Sequence, residues 1–349
     1  MAYTINFDMV NSLAANKHVP KLKDNFFLSN ALLFRLKPRQ KEWRGGPLLA
    51  VPLGFAPEGG GGSWYSGSDK FDTSIRNPIK AATYFAKNAQ VTLAIDTDEQ
   101  LAASGPTAVL DLIEAKMKIA ENTMVDLIGT NLYNDGSNAK AVGGLQIALS
   151  DSITTVAKTY GGITAGGSVP SLDTNGWWQH NVDTTSYLTG ATGTVFAGYA
   201  NTGITALGRM FSQIGLRSGK QPTLIVSNWG AWSDYHNSLA KNERYDRPQQ
   251  GTALANAGFT NLMYRNAPYV VDERAPRTAG FVEKVYCIDE RALALYVHPE
   301  RDMFFQKWER PIDQDARVAY IFHRLEMCFD ERRSSGNIQS VDTSNILPI

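Results

Sequence analysis

The stretch Gly105–Gly136, GPTAVLDLIEAKMKIAENTMVDLIGTNLYNDG, sets the frame for everything around it. Pro106 stands where a helix begins, because its missing N–H would have no intrahelical partner there. Apolar residues then recur at Val109, Ile113, Met117, Ala120, Met124 and Leu127, the 3.6-residue period of a helix with one buried face. Glu114 and Lys118 add a favourable pair one turn apart, and Asn134–Gly136 closes the element with a turn signal. The pattern predicts one unbroken helix, longer than the usual ~12 residues.

Upstream, GGPLLAVPLGFA (45–56) and KAATYFAKNAQVTLAI (80–95) are both strand-rich. Between them runs GFAPEGGGGSWYSGSDK (54–70). Four consecutive glycines carry a high entropic cost of ordering, yet Trp64 and Tyr65 follow at once, and such large rings favour burial. Two strands joined by so long a tip make a projecting hairpin. An isolated hairpin is marginal in water, so it is expected to lie on something. One reading of its aromatic tip is that the partner surface is not in this chain.

Further upstream, Lys17–Arg44 holds eight Lys or Arg against two acids. Phe26, Phe27 and other short apolar groups are set among them, and FRLKPRQKEW reads as strand broken at Pro38. An extended arm is expected, its charge either solvated or facing nucleic acid or an acidic neighbour.

Downstream, residues 143–200 are rich in Gly, Ser, Thr and Asn and predict short strands and long loops. NTGITALGRMFSQIGLRSG reads as a helix ending at Gly215–Gly219, PTLIVSN as a buried strand, and WGAWSDYHNSLAKNERY as a helix capped by Asn228. This alternation predicts a compact α/β unit. GFTNLMYRNAPYVVDERAP gives two strands about an Asn266–Pro268 turn, and VYCIDERALALYVHP is expected to continue the same sheet. Ala316–Phe329 alternates as a long strand, with an irregularity expected near His323 and Arg324.

The chain has 349 residues, enough for about two domains, and its 34 Lys+Arg balance 34 Asp+Glu. Zero net charge argues against a dedicated nucleic-acid binder and favours self-association. Cys287 and Cys328 are too few for a disulfide framework or a metal cluster and read as reduced core residues of a protein made in a cytoplasm. The N-terminus is not a signal peptide, and no stretch approaches the ~18 apolar residues of a membrane span.

Catalytic patterns do not assemble. The glycine run lacks the Lys–Ser/Thr of a phosphate loop. Ser238–Lys241 is a Ser-x-x-Lys without its partner motifs. The five histidines have no metal-ligand spacing, so His298 and His323 read as structural. DERAP, ERDMFF and FDERR mix charges of both signs, which reads as surface ion-pair networks rather than a carboxylate pair tuned for hydrolysis. No catalytic, cofactor-binding or metal residues are assigned.

In order, the parts resemble the major capsid protein of tailed bacteriophages, the Hong Kong 97-type shell fold. The matching segments are the hairpin 45–90, the helix 106–131, GGLQIALSD (143–151) with GWWQHN (176–181), PTLIVSN (222–228), GFTNLMYRNAPYVVDE (258–273) and DQDARVAYIFHRLEMCFDERRSSGNI (313–338). The order carries the likeness, and it covers nearly the whole chain. It implies an α+β fold: an N-terminal arm (1–44), an extended β-hairpin loop (45–90), a peripheral domain (91–142 and 303–349) with a spine helix at 106–131, and a central axial α/β domain (143–302). It also implies self-assembly through hexamers and pentamers into an icosahedral shell, with the loop and arm reaching neighbouring subunits. Trp64, Tyr65, Lys70, Phe71, Phe26, Phe27, Arg39 and Arg44 would then be contact residues. The implied partners are packaged double-stranded DNA, bound non-specifically, and a portal. Because the arm starts almost at Met1, scaffolding is expected to be a separate protein. The implied location is the virion, assembled in the host bacterial cytoplasm. Some family members crosslink a loop lysine to an Asn. Lys70 and Lys80 lie in or near the loop, but no partner Asn or catalytic Glu is marked. Encapsulin-type compartments share the fold and are the alternative. A hydrolytic enzyme with Ser238 or an acidic pair in its site is the alternative from another class.

Overall fold

The structure, a computed structural model, describes residues 30–46, 48–55, 64–71, 77–102, 106–150, 159–164, 176–183, 204–239, 262–277, 282–312 and 315–342. The long helix spans Pro106–Asn131, 26 residues, or about 39 Å. Among its described side chains the buried apolar ones are Leu112, Ala120, Met124 and Ile128, with Leu132 just beyond. They step by four, so the helix rests on an i+4 ridge, which is inclined to its axis. Ala120 and Met124 face the core as the period predicts, but Leu127 is exposed and Ile128 takes its place. Lys116 falls on the same row. Its ammonium reaches past the apolar seam to the Ala94 carbonyl at 3.0 Å and to the Glu99 carboxylate, the usual solution for a lysine stem on a buried face.

The strands in chain order are β1 (Lys41–Glu42), β2 (Leu48–Gly54), β3 (Ile79–Phe85), β4 (Lys87–Asp96), β5 (Thr159–Tyr160), β6 (Ile163–Thr164), β7 (Asn181–Asp183), β8 (Leu224–Ser227), β9 (Leu262–Tyr264), β10 (Ala267–Val271), β11 (Val282–Ile288), β12 (Leu293–Val297), β13 (Phe304–Glu309), β14 (Ala316–Phe329) and β15 (Gly336–Asp342). They form two larger sheets. In one, β14 is central, paired with β4 along one side and with β13 and β12 along the other, and β1 flanks β12. In the other the order is β7-β15-β11-β8-β10-β9. The expected long strand at Ala316–Phe329 is present. Its register with β4 runs unbroken through His323 and Arg324, so no irregularity lies there. The shift is on the partner β13, between Gln306 and Glu309.

Three further readings are corrected. The arm segment FRLKPRQKEW is not extended. Asn30 caps a helix at Ala31–Leu36 by accepting from Leu33 N at 3.0 Å, and Pro38 sits in the first turn of a 3-10 helix at Lys37–Arg39. Leu32 and Leu36 are fully buried, and Leu32 N donates to Asp272. The segment 80–95 is two strands in two sheets: β3 closes the hairpin with β2, while β4 turns away to β14. Finally, VYCIDERALALYV does not continue one sheet. β11 pairs with β8 and β15, whereas β12 crosses to β14. The chain then returns through β15, which lies between β7 and β11. Thus β12, within the expected axial segment, and β15, within the expected peripheral segment, each lie in the sheet of the other.

Helices Ile204–Ser218 and Trp229–Leu239 cover the β8 region, burying Leu207, Met210, Phe211 and Ile214 with Ile225, Tyr269 and Cys287 in one cluster. The expected capping bond from Asn228 is not made: its Oδ1 accepts from the adjacent Trp229 N at 2.6 Å rather than from an N–H two or three residues on, and the N–H of Ala231 goes to Glu283 at 2.8 Å. A second cluster joins the long helix, β14 and the hairpin. Both cysteines are buried and unpaired.

Candidate functional site: the projecting hairpin and its anchorage

The β2–β3 ribbon pairs Leu48 with Phe85 at its base and Gly54 with Ile79 at its far end. Pro52 is tolerated because a two-stranded ribbon has an outer edge that needs no N–H. The inner face is apolar and packed: Leu53, Ala82 and Tyr84 are buried, and Leu49 and Val51 pack beside them. Tyr84 reaches across to donate to Phe329 O at 2.9 Å. The β5–β6 turn presses on the ribbon from below. Gly161 and Gly162 both have positive φ, 61° and 71°, the conformation of a two-residue hairpin turn. The Gly161 carbonyl accepts Thr83 N at 2.8 Å. A Cβ there would meet the Tyr84 ring at 3.0 Å. The opposite face of the ribbon leaves Leu48 and Phe85 exposed.

Beneath the anchorage lies Arg332, fully buried with no carboxylate partner among the described residues. Its Nε and Nη2 donate to Ala148 O at 2.9 and 2.5 Å, and Nη2 faces His180 Nδ1 at 3.2 Å. Since Nδ1 must accept, the ring hydrogen is on Nε2, which donates to Ser150 O at 2.6 Å. The guanidinium lies over Tyr160 at 5.2 Å and Trp178 at 5.7 Å. Burial brings its pKa down to about 10. Trp178 Nε1 donates to Tyr160 O, and Tyr160 OH to Met327 O. Strand β14, the β5–β6 turn, residues 176–181 and the ribbon thus meet at one aromatic-cation knot.

Glu326 borders this knot. One carboxylate oxygen accepts Gly143 N at 2.8 Å, and the other has no partner. Desolvation pushes its pKa up from 4.5 to about 7. Between those values the folded chain holds a proton that the unfolded chain has released, so this group's contribution is full below about 4.5 and is lost as pH rises through 7. The span corresponds to about 3 kcal/mol. Melting Glu326→Gln beside the parent from pH 5 to pH 8.5 is expected to show a much flatter pH dependence in the variant. Parallel curves would refute the assignment.

At the far end, residues 64–71 form a small tip. Ser66 N donates to Asp69 Oδ2 at 2.7 Å and Asp69 N to Ser66 O at 2.8 Å, closing a turn. Tyr65 and Phe71 meet edge to face at 5.1 Å. Trp64 is 103% exposed, Tyr65 68% and Phe71 65%, and Lys70 is exposed beside them. The four glycines, Phe26 and Phe27 lie outside the described residues. Of the arm cations, Arg39 lies 3.7 Å from Glu290 and Arg44 pairs with Glu42. Ser238 falls in the helix Trp229–Leu239, and Lys241 lies outside the described residues. His323 Nδ1 accepts Met303 N at 3.1 Å, and burial lowers its pKa against the pull of Asp302. No three His, Cys, Asp or Glu among the described residues gather to hold a metal ion, and no helix there is long and apolar enough to cross a membrane.

No protein-family model matches the sequence, and no curated protein does. Solved structures do match, end to end. A chain of the cyanophage A-1(L) capsid asymmetric unit aligns over 95% of this chain and 98% of its own, at 20% identity and a TM-score of 0.69. The SrpI encapsulin complex of Synechococcus elongatus PCC 7942 matches over 97% and 98%, at 9% identity and 0.55. Mycobacterium phage Bobi contributes a match over 91% and 95%, at 12% and 0.54. The chain has the Hong Kong 97-type shell fold. Sequence reasoning found the ribbon and the long helix Pro106–Asn131, and found the exposed aromatics of the tip. It missed the knot, because Arg332 reads as one more charge in FDERR. Its neighbours do form the expected ion pairs, Glu331 with Lys220 and Arg333, while the 3-10 turn Arg332–Ser334 sends Arg332 inward.

Proposed function

We propose that the chain is the major capsid protein of a tailed bacteriophage, assembling through hexamers and pentamers into an icosahedral shell around double-stranded DNA. The observation that carries this is a shell fold matched over its whole length to a phage capsid subunit, with an anchored ribbon whose aromatic tip meets no core of its own. In this reading residues 1–44, 45–90, 91–142 with 303–349, and 143–302 serve as arm, extended loop, peripheral and axial parts, with the exchange of β12 and β15 tying the last two together. Trp64, Tyr65, Lys70 and Phe71 make contacts between subunits. Arg39, Arg44, Phe26 and Phe27 act in the arm. DNA is held without sequence preference, in keeping with zero net charge. A scaffolding protein and a portal complete the assembly, which forms in the host cytoplasm and persists in the virion. The chemistry is structural rather than catalytic.

The likeness to an encapsulin supports a second reading, a compartment that holds a protein cargo. Negative-stain electron microscopy with light scattering of the purified chain is expected to show closed particles of uniform size, or rings of five and six. A chain that stays monomeric or dimeric at high concentration, with or without scaffold and at every salt tested, would sink both readings. Co-purified peptide cargo in place of DNA would favour the second.

A further inference from the structure

Strand β4 has a neighbouring strand on one side only, β14. Thr97 N donates to Asp315 O just past the end of the pair, and the register runs unbroken back from there. In an antiparallel ladder every second residue turns both of its backbone groups to the partner. The odd-numbered residues of β4 therefore face β14, and Asn88, Gln90, Thr92 and Ala94 present N–H and C=O to the open side. Two lysines mark the limits of this edge. Lys116 Nζ takes the Ala94 carbonyl at 3.0 Å, and Lys87 Nζ reaches across to Ala139 O at 2.7 Å. Between them the outward backbone groups of Asn88, Gln90 and Thr92 have no partner among the described residues. A bare edge of this kind is a template for another strand. Asn88 and Gln90 line a groove of about 240 Å³, whose other wall is the end of the long helix and the turn that follows it. The apolar lining is aliphatic: Leu127, Ile128, Val142 and Leu325. Leu127, which the helical period assigns to the core, is exposed in this groove instead. Lys87 and Lys140 stand at the rim, and no Asp or Glu lines it.

We infer that an extended, acidic segment of a partner protein adds to the sheet as a strand beside β4 at Asn88–Gln90. Main-chain bonds to the outward groups of these two residues give the affinity, and the groove beside them gives the selectivity, as in other cases of strand addition. Successive side chains of the added strand alternate between the two faces of the sheet, so one aliphatic residue enters against Leu127 and Val142 while acids at its flanks meet Lys87 and Lys140. The volume argues for a side chain rather than a free ligand, since it lies below the ~300–1,000 Å³ of small-molecule pockets. The charge argues for a partner rather than the chain's own arm. Lys17–Arg44 carries eight Lys or Arg against two acids, the wrong sign for a rim of lysines. The edge is complete in one subunit, so the inference does not rest on the shell reading. Within that reading it gives a separate assembly protein a place to bind.

The test titrates the full chain into a fluorescein-labelled peptide of sequence DEVTLTVDE and follows fluorescence anisotropy, with unassembled subunits and with particles. Saturable binding is expected in both. Gln90→Ala should leave it unchanged, because only the backbone of Gln90 is used. Gln90→Pro should abolish it without touching the ladder to β14, because proline removes an N–H that points outward and is tolerated at a sheet edge. Lys140→Glu should weaken it about fivefold, the scale of an exposed charge pair. Should the proline variant fail to fold, the same peptide N-methylated at alternate residues makes the equivalent test from the other side, and it should not bind the parent chain. Absence of saturable binding overturns the inference. So does binding that survives both Gln90→Pro and N-methylation, which would put the peptide elsewhere, or equal binding of the charge-reversed KKVTLTVKK. Binding that appears only when residues 1–29 are removed would make the arm the occupant, and binding to subunits but not to particles would make it a second copy. Either result refutes a partner protein at this edge while leaving the shell reading untouched.

Discussion

Arg332→Ala is expected to destabilise the unassembled subunit by about 4 kcal/mol. Three interactions vanish, and the buried Ala148 carbonyl and His180 Nδ1 lose their Arg332 donors, at about 1–3 kcal/mol for such groups. A cavity opens under the Tyr160 and Trp178 rings, adding a cost of the size seen when large core side chains are truncated. Part of this is offset, because a buried guanidinium without a counter-ion is itself costly, as the lowered pKa of about 10 reflects. Arg332→Met separates the effects. It fills most of the volume and removes the charge, so only the unpaired acceptors remain, and a loss of about 2 kcal/mol follows. Against a total of about 5–15 kcal/mol for a typical protein, the alanine variant should sit close to its unfolding threshold at 37 °C. Urea denaturation of the three proteins measures this. An alanine variant within 1 kcal/mol of the parent would show that the knot is a bystander.

The second large effect lies at the other end of the ribbon and has the opposite signature. Trp64→Ala, Tyr65→Ala and Phe71→Ala together are expected to leave the subunit's melting temperature unchanged and to abolish assembly at concentrations where the parent forms particles. The side chains are exposed, so their removal takes nothing from the subunit's own core. In a shell each would bury a large aromatic surface worth about 2 kcal/mol, and anchors of this kind dominate interface energies. Three such losses per contact amount to about four orders of magnitude in affinity. The edge-to-face pair of Tyr65 and Phe71 holds the tip in one shape before contact, which lowers the ordering cost of binding. Sedimentation velocity across a concentration series reads out the loss. Particles appearing at the parent's concentration would remove the tip from the interface.

Legibility in the sequence followed the range of the interactions involved. The long helix Pro106–Asn131 and β14 were readable because periodicity is local, and each repeats its pattern many times. Even so, the helix seam came out one residue off at Leu127 and Ile128, because the tilt of a helix on its sheet is decided by the sheet. The helix Ala31–Leu36 is too short for a period to show. Its only local marks are Asn30, which caps it, and Pro38 in the turn that follows. The crossing from β11 to β12 left no mark at all, since a fully buried strand looks alike in either sheet and pairing is fixed by residues far along the chain. At the site, the exposed aromatics stood out because they contradict the glycine-rich context around them. Arg332 and Glu326 did not, because burial of a charge depends on groups from four separate segments.

The exchange of strands between the two sheets also bears on when the protein can finish folding. The centre of one sheet is β14, and β15 is clamped between β7 and β11 in the other. Both lie within residues 316–342, after every other described strand. During synthesis neither layer can close until that stretch leaves the ribosome, however much of the remainder has already emerged. A chain that stops before β14 therefore lacks the centre of one sheet and, in the other, the strand that joins β7 to β11, rather than carrying one finished half with an aromatic hook. Such a fragment has no rigid frame from which to present its hairpin, so in the proposed shell defective chains are kept out of the lattice by the order in which the polypeptide is made.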